Sequence, residues 1–490
     1  MILINPYYDR AKKLGIFARY VPLSVPMGIG ALAGYLLQQG KQVKILDEHL
    51  ALITAEVLDD CIRDISEPYI FGISCVSAGI GRGYALAKII KTKYPDSKVI
   101  MGGIHPTVLP QEALETGFVD IVVRGEGEEI LSALYDMIKS GRDYSCLEGI
   151  SFKDSTTRIV HNPLAKLPDI NLLPPFPYDL FAKHPGKYDL GFIVSSRGCP
   201  YNCIFCSQRA ISRRFYRCIA PEKVVEELDL LINKYHQTRV DFSDDNFLGN
   251  KERVKRLCEL MRDNNLHEKA TFGCQTRGDS IDSDILSYLK AANFTAIDIG
   301  FETASERLMA LLNKGEKVQD NIKAAKLLQA FGFQISTAFI LGLPTETREE
   351  RWQAYRLAKE LKLNYVRFNN ATPYPGTRLY EIAKEENGLN IEENWSNLNA
   401  CGTLIDGPFS KTKLAYVPAT TTERELRKDI LRINLFFSLN PRRVFGLLFR
   451  GGAPGWMVFP KRWYFSPKEW YCLAKLGFNV AAAFLSSLLP

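Results

Sequence analysis

Short apolar runs and amphipathic stretches alternate along residues 1–140, and this alternation predicts a parallel sheet with helical crossovers. The apolar runs predict strands at residues 1–5, 42–46, 70–76, 98–101 and 121–124. Helical periodicity between them predicts helices at residues 28–39, 55–65, 83–94 and 111–116. We therefore expect an α/β domain with a Rossmann-like, doubly wound sheet over residues 1–140.

The alternation is lost over residues 141–188, where the proline-rich segment 173–178 excludes an ordinary helix or central strand. We interpret residues 141–188 as a linker that passes over the surface. Over residues 189–390 the alternation returns, with strands predicted at 191–195, 239–243, 270–275, 296–300, 334–341 and 365–369 and helices between them, for example at 221–234 and 320–331. Six consecutive β–α units predict a partial (β/α)6 barrel with its chemistry at the C-terminal strand ends. Residues 391–490 are predicted to form a mostly helical appended region.

Composition narrows the class of protein only slightly. The 490 residues carry a net charge of +7, which is modest for this length and does not indicate nucleic-acid binding. The 11 cysteines are odd in number and scattered, which argues against a disulfide framework, and the start of the chain lacks the pattern of a signal peptide. We therefore expect a protein of the reducing cytoplasm. No run approaches the ~20 apolar residues that a membrane-spanning helix requires.

Three cysteines stand apart from the others because they fall within eight residues, at Cys199, Cys203 and Cys206, after a predicted strand. Three thiolates on one loop can hold a single soft metal centre, and in an iron–sulfur cubane they leave one iron open for another ligand. A structural zinc site or unrelated thiols are the alternatives. Zinc usually takes four ligands in paired spacing, and here no second pair occurs; Cys218 is the nearest spare thiol.

The CxxxCxxC spacing, with aromatic Phe205 before the last cysteine, resembles the radical S-adenosylmethionine (SAM) superfamily. That resemblance implies a [4Fe–4S] cluster on the three cysteines. It also implies SAM bound at the open iron and cleaved to a 5′-deoxyadenosyl radical. An electron donor such as flavodoxin or ferredoxin would reduce the cluster.

Further motifs of the same superfamily follow in order, each at a predicted strand end. Residues 242–247 (FSDDNF) resemble its polar turn next to SAM, residues 299–305 (IGFETAS) its GxES stretch, residues 339–347 (FILGLPTET) its GLPxET turn and residues 372–377 (TPYPGT) its PYPGT turn. The resemblance implies that the cofactor-binding residues of this domain are Phe205, Ser243, Asp244, Glu302 and Gly342. A surface cap remains the alternative for Glu302, and an ordinary salt bridge the alternative for Arg277 at another strand end.

The first 135 residues resemble the cobalamin-binding Rossmann domain. Ser74-Cys75-Val76 ends the third predicted strand, and the pair Gly102-Gly103 follows the fourth, as in the motifs that accept the nucleotide tail of cobalamin, although Val76 stands where the family has leucine. Residues 26–30 (PMGIG), 102–107 (GGIHPT) and 124–128 (RGEGE) also resemble the cobalamin-dependent branch of the radical SAM superfamily. The resemblance implies tail binding at Ser74, Gly102 and Gly103, with His105 able to touch the corrin or its tail. A Rossmann domain for another nucleotide, or a degenerate scaffold, is the alternative, but NAD is disfavoured because the first turn lacks glycine.

Asp47-Glu48-His49 imitates the Asp-x-His motif whose histidine binds cobalt in some cobalamin proteins. We reject it, because that motif follows the first strand and this one follows the second, and because Leu52 stands where the family has glycine. We expect cobalt without a histidine ligand.

Residues 435–475 combine large apolar and aromatic side chains with at least five cations, among them those at positions 442, 443, 450, 461 and 462. This composition suits peripheral contact with the inner membrane surface. A substrate lid or a dimer contact is the alternative.

Together these features predict a cobalamin-dependent radical SAM enzyme that modifies an unactivated carbon of a small-molecule or lipid-like substrate, by methyl transfer in the first interpretation. Ring formation, ring contraction or oxidation without methyl transfer is the second. A cobalamin- or redox-responsive binding protein is a third, from a different class, and the series of cofactor-like strand ends argues against it.

Overall fold

The computed structural model describes residues 1–7, 23–363, 365–398, 400 and 413–438. Its first domain is built on a seven-stranded sheet in the order β3-β1-β4-β5-β6-β7-β8, in which the strands from β3 to β6 are parallel. The strands of this sheet are β1 (Ile2–Asn5), β3 (Lys44–Asp47), β4 (Ile70–Ser74), β5 (Lys98–Gly102), β6 (Ile121–Val123), β7 (Ile150–Lys153) and β8 (Ile159–His161). The short strand β2 (Leu23–Ser24) lies outside it and pairs with Tyr188–Asp189.

Helices cover both faces of this sheet, as the predicted Rossmann-like arrangement requires. They are α1 (Met27–Gln38), α2 (Ala55–Ile62), α3 (Ile80–Lys93), α4 (Ile104–Val108), α5 (Pro110–Glu115) and α6 (Glu128–Lys139). The parallel register pairs Ser74 with Gly102, so the two predicted tail-binding motifs lie side by side at one edge of the sheet.

The segment predicted as a surface linker is different in two respects. Its first part, β7 and β8, forms an antiparallel hairpin that extends the sheet of the first domain. Its proline-rich part is anchored by two buried aromatic side chains, since Phe176 and Tyr178 pack into the core of the second domain. Gly30 of α1 permits this packing, since a Cβ there would lie 2.2 Å from the Phe176 ring.

The second domain is a parallel six-stranded sheet in the order β10-β13-β14-β15-β16-β17. It confirms the predicted partial barrel: within the described residues the two edge strands, β10 and β17, do not pair. The remaining strands are β9 (Tyr188–Asp189), β10 (Phe192–Ile193), β11 (Ser196–Arg197), β12 (Arg217–Cys218), β13 (Arg239–Phe242), β14 (Thr271–Thr276), β15 (Phe294–Glu302), β16 (Gln334–Leu341) and β17 (Tyr365–Asn370).

The helices of this domain pack on the sheet through one large apolar core that includes phenylalanines of β13, β14 and β15. They are α7 (Asp179–Ala182), α8 (Arg209–Ser212), α9 (Pro221–Asp229), α10 (Lys251–Asp263), α11 (Leu266–Lys269), α12 (Ser283–Ala291), α13 (Glu306–Leu311), α14 (Val318–Ala330), α15 (Arg348–Glu360), α16 (Arg378–Glu385) and α17 (Glu423–Ser438). A π-helical turn, Leu230–Lys234, follows α9 directly, so the helix predicted at 221–234 is not α-helical throughout.

The description of the appended region stops at the end of α17, a helix that packs against β17 and α15. Its Asn434 side chain accepts from the backbone N–H of Phe368 and donates to the same residue's carbonyl, and Asp429 pairs with the fully buried Arg351. The predicted membrane-contact segment lies almost entirely outside the described residues. Of the described helices, none has both the length and the apolar character needed to cross a membrane.

Candidate active site at the domain interface

The loop that carries the three cysteines begins where β11 ends. Gly198, directly before Cys199, has a φ of +85°, and a Cβ there would lie 2.1 Å from the Phe215 carbonyl oxygen. Only glycine satisfies both conditions. The tight turn starts the loop at the C-terminal ends of the barrel strands, where such folds place their chemistry.

The three thiols are partly buried and form no disulfide. Burial raises the pKa of each, that of Cys203 to about 12, while the positive charges of Lys314 and Arg277 lower the pKa values of Cys199 and Cys203. Buried thiols of this kind become thiolate ligands when a metal centre supplies compensating charge. Within the described residues, no three His, Cys, Asp or Glu side chains converge on one metal ion. A cubane takes one thiolate per iron, so this loop fits a [4Fe–4S] cluster better than a single zinc ion.

Two adjacent carboxylates that follow β13 hold the start and the end of the cysteine loop by hydrogen bonds. Asp244 is fully buried and accepts from the Ser195 backbone N–H at 2.7 Å and from the hydroxyls of Ser195 and Ser196 at 2.7 and 2.6 Å. Asp245 accepts from the Gly198 N–H and the Gln208 amide, both at 2.9 Å. Both oxygens of Asp244 thus accept hydrogen bonds that hold the start of this loop, and its contact with SAM stays a prediction.

A buried chain of charges lies beside the cysteine loop. Glu302, at the irregular end of β15 with a φ of +59°, pairs with Lys314 at 3.2 Å, and Lys314 pairs with Glu316 at 2.7 Å. Arg277 continues the chain to Glu316 at 3.6 Å and stacks 3.4 Å from the ring centroid of Tyr201, which lies between the first two cysteines. The chain brings Glu302 and Arg277 together next to the cluster loop, with a lysine that the sequence motifs did not single out.

Two other residues predicted to bind cofactors lie at the same end of the barrel, one in a backbone turn and one in an apolar cluster. Gly342 has a φ of +81°, and its N–H donates to the buried Glu346, whose pKa is raised to about 7 by burial. Phe205 packs with Ile204 against the apolar cluster around Leu308 and Leu343.

A cavity of about 700 Å³ lies between the two domains. Ser74, Gly102 and Gly103 line it from the first domain, and Ser243 and Asp245 line it from the barrel. A Cβ at Gly103, where φ is +92°, would lie 2.5 Å from the Cys75 carbonyl oxygen. Further glycines at positions 28, 72, 125 and 127 line the same wall, which leaves room for the close approach of a large flat ligand such as a corrin.

His105, for which contact with the corrin or its tail is predicted, is not among the residues that line this cavity. It is fully buried, with Nδ1 2.9 Å from the Ser77 hydroxyl and Nε2 3.4 Å from Glu112. Its ring packs edge-on against Trp395 at 5.0 Å. The histidine therefore joins the first domain to the segment after the barrel.

The residues of the rejected Asp-x-His motif, which begins at Asp47, take part in the local structure of the loop after β3. Glu48 accepts from the backbone N–H groups of Tyr7 and Ile53 and pairs with Arg82, so it closes the loop after β3. His49 follows in the same turn, with its ring 5.5 Å from that of Tyr7, and it does not line the described cavity.

Ion pairs connect the first domain to the cysteine loop. Arg197, two residues before Cys199, lies 2.9 Å from Glu126 and 2.8 Å from Glu128. Arg217, on the strand paired with β11, also binds Glu126. Both carboxylates belong to the RGEGE motif, so that motif holds the loop that would carry the cluster.

Comparison with known proteins agrees with this geometry. The radical SAM superfamily model matches residues 193–358, and the B12 binding domain model matches residues 14–135. An uncharacterized methyltransferase of Pyrococcus horikoshii is 31% identical over 421 residues, which is 85% of this chain and 88% of that protein. The chain belongs to the cobalamin-binding radical SAM enzyme family.

Two further matches place this radical SAM enzyme among its relatives. The anaerobic magnesium-protoporphyrin IX monomethyl ester cyclase of Rubrivivax gelatinosus is 26% identical over 73% of this chain and 66% of its own length. The structure of the radical SAM methyltransferase TsrM from Kitasatospora setae, with cobalamin and a [4Fe–4S] cluster, is 17% identical with a TM-score of 0.72 over 93% of this chain and 96% of that one. The second match shows that the two proteins share a fold.

For a radical SAM enzyme with a B12 binding domain, the expected cofactors are those predicted: a [4Fe–4S] cluster, SAM and cobalamin. The motif comparison did not identify Lys314, the Arg197–Glu126 pair or Glu227 in the cavity wall. Each depends on residues far apart in the sequence that only the fold brings together.

Proposed function

We propose that this enzyme methylates an unactivated carbon of its substrate in a cobalamin-dependent radical reaction. With the three cofactors bound, the cluster and SAM supply a 5′-deoxyadenosyl radical and cobalamin supplies the methyl group. The observation that carries the proposal is the shared cavity, which is lined both by the tail-binding glycines and by residues that hold the cysteine loop. A methyl donor at these glycines and a radical source near the cysteine loop would thus lie at the two sides of one interdomain cavity.

The chain's own residues would then bind, orient and shield. Cys199, Cys203 and Cys206 would hold the cluster, with Asp244 and Asp245 fixing the loop beneath it. Lys314 and Glu302 offer a cation and a carboxylate to the amino-acid and ribose parts of SAM. The apolar cavity wall would exclude water, which protects a reactive radical from side reactions.

We further propose a lipid-like substrate, reached from the cytoplasmic side by reversible contact with the inner membrane surface. Support comes from the aromatic and basic composition of residues 435–475. A flavodoxin or ferredoxin would supply the electron.

Ring formation without methyl transfer is a second candidate, because the cyclase named above is similar over most of this chain. The cofactor-binding residues serve both reactions and do not distinguish them.

The test is anaerobic incubation of the reconstituted enzyme with reductant, SAM carrying a CD₃ methyl group, and lipid or polar cell-extract fractions. Mass spectrometry would follow 5′-deoxyadenosine and labelled products. A substrate-dependent product that carries the CD₃ group would support methylation, and its presence in the lipid fraction alone would support a lipid-like substrate.

Deoxyadenosine together with an unlabelled, cyclised or oxidised product would favour the second candidate. No deoxyadenosine with any fraction, from protein that holds its cluster, would contradict both.

A further inference from the structure

One carboxyl group in the wall of the interdomain cavity is not used by the proposed function. Glu227 lies on α9, one turn before the π-helical turn Leu230–Lys234, and both Glu227 and Leu230 line the cavity. π-Helical turns recur at functional sites. The wall on this side comes from the barrel domain, opposite the glycines of the first domain.

Glu227 shares a proton network with the linker. The Tyr178 hydroxyl lies 2.7 Å from the Phe192 carbonyl oxygen and 2.9 Å from Glu227 Oε1. A phenol has one proton and can donate it to only one of these two acceptors. Both contacts become hydrogen bonds when Glu227 carries a proton and donates it to the tyrosine oxygen.

The surroundings favour that protonated form. Phe192 belongs to β10, an edge strand of the sheet, so the tyrosine hydroxyl completes the hydrogen bonding of its carbonyl. Burial raises the pKa of Glu227 to about 7.

No neighbouring charge is close enough to reverse this effect among the described residues. From its own helix, Lys223 bonds to the Asn171 carbonyl, and Glu226 is exposed. The Tyr235 ring packs behind Tyr178 at 5.9 Å. The charged groups from other elements that line the cavity are already engaged: Glu126, Glu128, Arg197 and Asp245.

We propose that Glu227 is a cofactor-binding residue that hydrogen bonds, as a neutral carboxylic acid, to a carboxamide side chain of the corrin ring. This inference rests on the proposed function, because it takes cobalamin as the occupant of the cavity. A protonated carboxyl whose O–H is held by Tyr178 presents its second oxygen as an acceptor for an amide N–H. An ionised carboxylate would bring an unpaired charge against a neutral ligand, at a cost in desolvation.

The test is a titration of the full-length protein with methylcobalamin in dim light at pH 6.0 and 8.5, followed by the change in its visible spectrum. Methylcobalamin is chosen because its cobalt ligands do not titrate in this range. If only the protonated form binds and its pKa is about 7, affinity falls about 30-fold between the two pH values.

Glu227→Gln mimics the neutral carboxyl and should bind at both pH values with the wild-type affinity of pH 6.0. The matched control is Glu222→Gln on the same helix, which does not line the cavity and should keep the wild-type dependence. Tyr178→Phe removes the oxygen that accepts the proton of neutral Glu227, so it should move the midpoint to lower pH.

Binding that is independent of pH in the wild type, an unchanged pH dependence in Glu227→Gln, or affinity that rises with pH would each overturn the inference. Failure of the wild type to bind methylcobalamin at either pH would overturn the proposed cobalamin chemistry itself. If Glu227→Gln fails to fold by circular dichroism, the midpoint of Tyr178→Phe decides: an unchanged midpoint overturns the inference.

Discussion

At the scale of single residues, Gly103 is the position in the cavity wall where the backbone most clearly requires glycine. Its φ of +92° disfavours any side chain, and a Cβ would also collide with the Cys75 carbonyl oxygen. We expect Gly103→Val to reduce cobalamin binding at least tenfold, measured by spectral titration. Gly117→Val is the control, since it imposes a similar backbone strain at φ +76° but meets open space away from the cavity. Equal losses in the two variants would show that backbone strain, and not the tail groove, causes the effect.

The three cysteines differ from the other thiols because they share one loop, so we expect them to bind iron together as one set of ligands. Anaerobically reconstituted protein should hold about four irons per chain, the number in a cubane. The triple variant Cys199→Ala, Cys203→Ala, Cys206→Ala should hold none, while Cys258→Ala, at a buried cysteine of α10, should keep the wild-type iron content. One bound zinc and no iron in the wild type would exclude the cluster.

His49 tests the opposite expectation, that a motif-like residue has no part in cofactor binding. It lies in the turn after β3, away from the residues that line the cavity. His49→Ala should leave the visible spectrum of bound cobalamin unchanged, because the spectrum reports the ligands of cobalt. A shifted spectrum in a folded variant would show that our rejection of this ligand is wrong.

At the scale of elements, the contact between the RGEGE motif and β11 joins the two domains. Glu126 is almost fully buried, at 6% side-chain exposure, and bonds to both Arg197 and Arg217. Glu126→Gln leaves two guanidinium groups with one carboxylate, and we expect a loss of about 2 kcal/mol in the free energy of unfolding. Because Arg197 precedes the cysteine loop, iron retention during gel filtration should fall as well.

Glu129→Gln is the matched control for this contact, since Glu129 lies three residues after Glu126 and is exposed on α6. Urea unfolding and iron content measured side by side decide the matter. Destabilisation with wild-type iron content would mean that the ion pair joins the domains without affecting the loop.

The same elements show what the sequence could predict. Strand β16 was predicted at its observed bounds, because alternating apolar positions between helices leave little ambiguity. The hairpin of β7 and β8 was missed, although Asp154-Ser155-Thr156-Thr157 between two short apolar runs is a turn signal, because the β–α rhythm had stopped.

Side-chain direction was less predictable than position. His105 lies next to the predicted tail-binding glycines and Asp244 next to a strand end, but each makes its hydrogen bonds inside the protein. Their partners, Ser77 and Ser195, lie 28 and 49 residues away, and no local pattern reveals such pairs. For the same reason, the motifs gave the cysteine loop but not the charges that surround it.

At the scale of the whole molecule, the helix α17 ends the described chain against the barrel, and the aromatic and basic segment follows it. We expect the full-length protein to sediment with anionic liposomes at low salt, because each cation near an anionic surface contributes about 1 kcal/mol and buried aromatics add to it. High salt should weaken binding by screening.

The decisive variant replaces Arg442, Arg443, Arg450, Lys461 and Arg462 with Gln in the full chain, which keeps α17 and its contacts with the barrel intact. Its control also loses five positive charges, by replacement with Gln of exposed cations elsewhere: Arg63, Arg158, Lys234, Arg356 and Arg378. Net charge falls equally in both variants, so a loss of liposome binding in the first alone would localise the contact to the segment after α17. Equal loss in both would reduce the effect to overall charge. No sedimentation of the wild type at either salt concentration would exclude membrane contact and leave a lid or a dimer contact as the use of this segment.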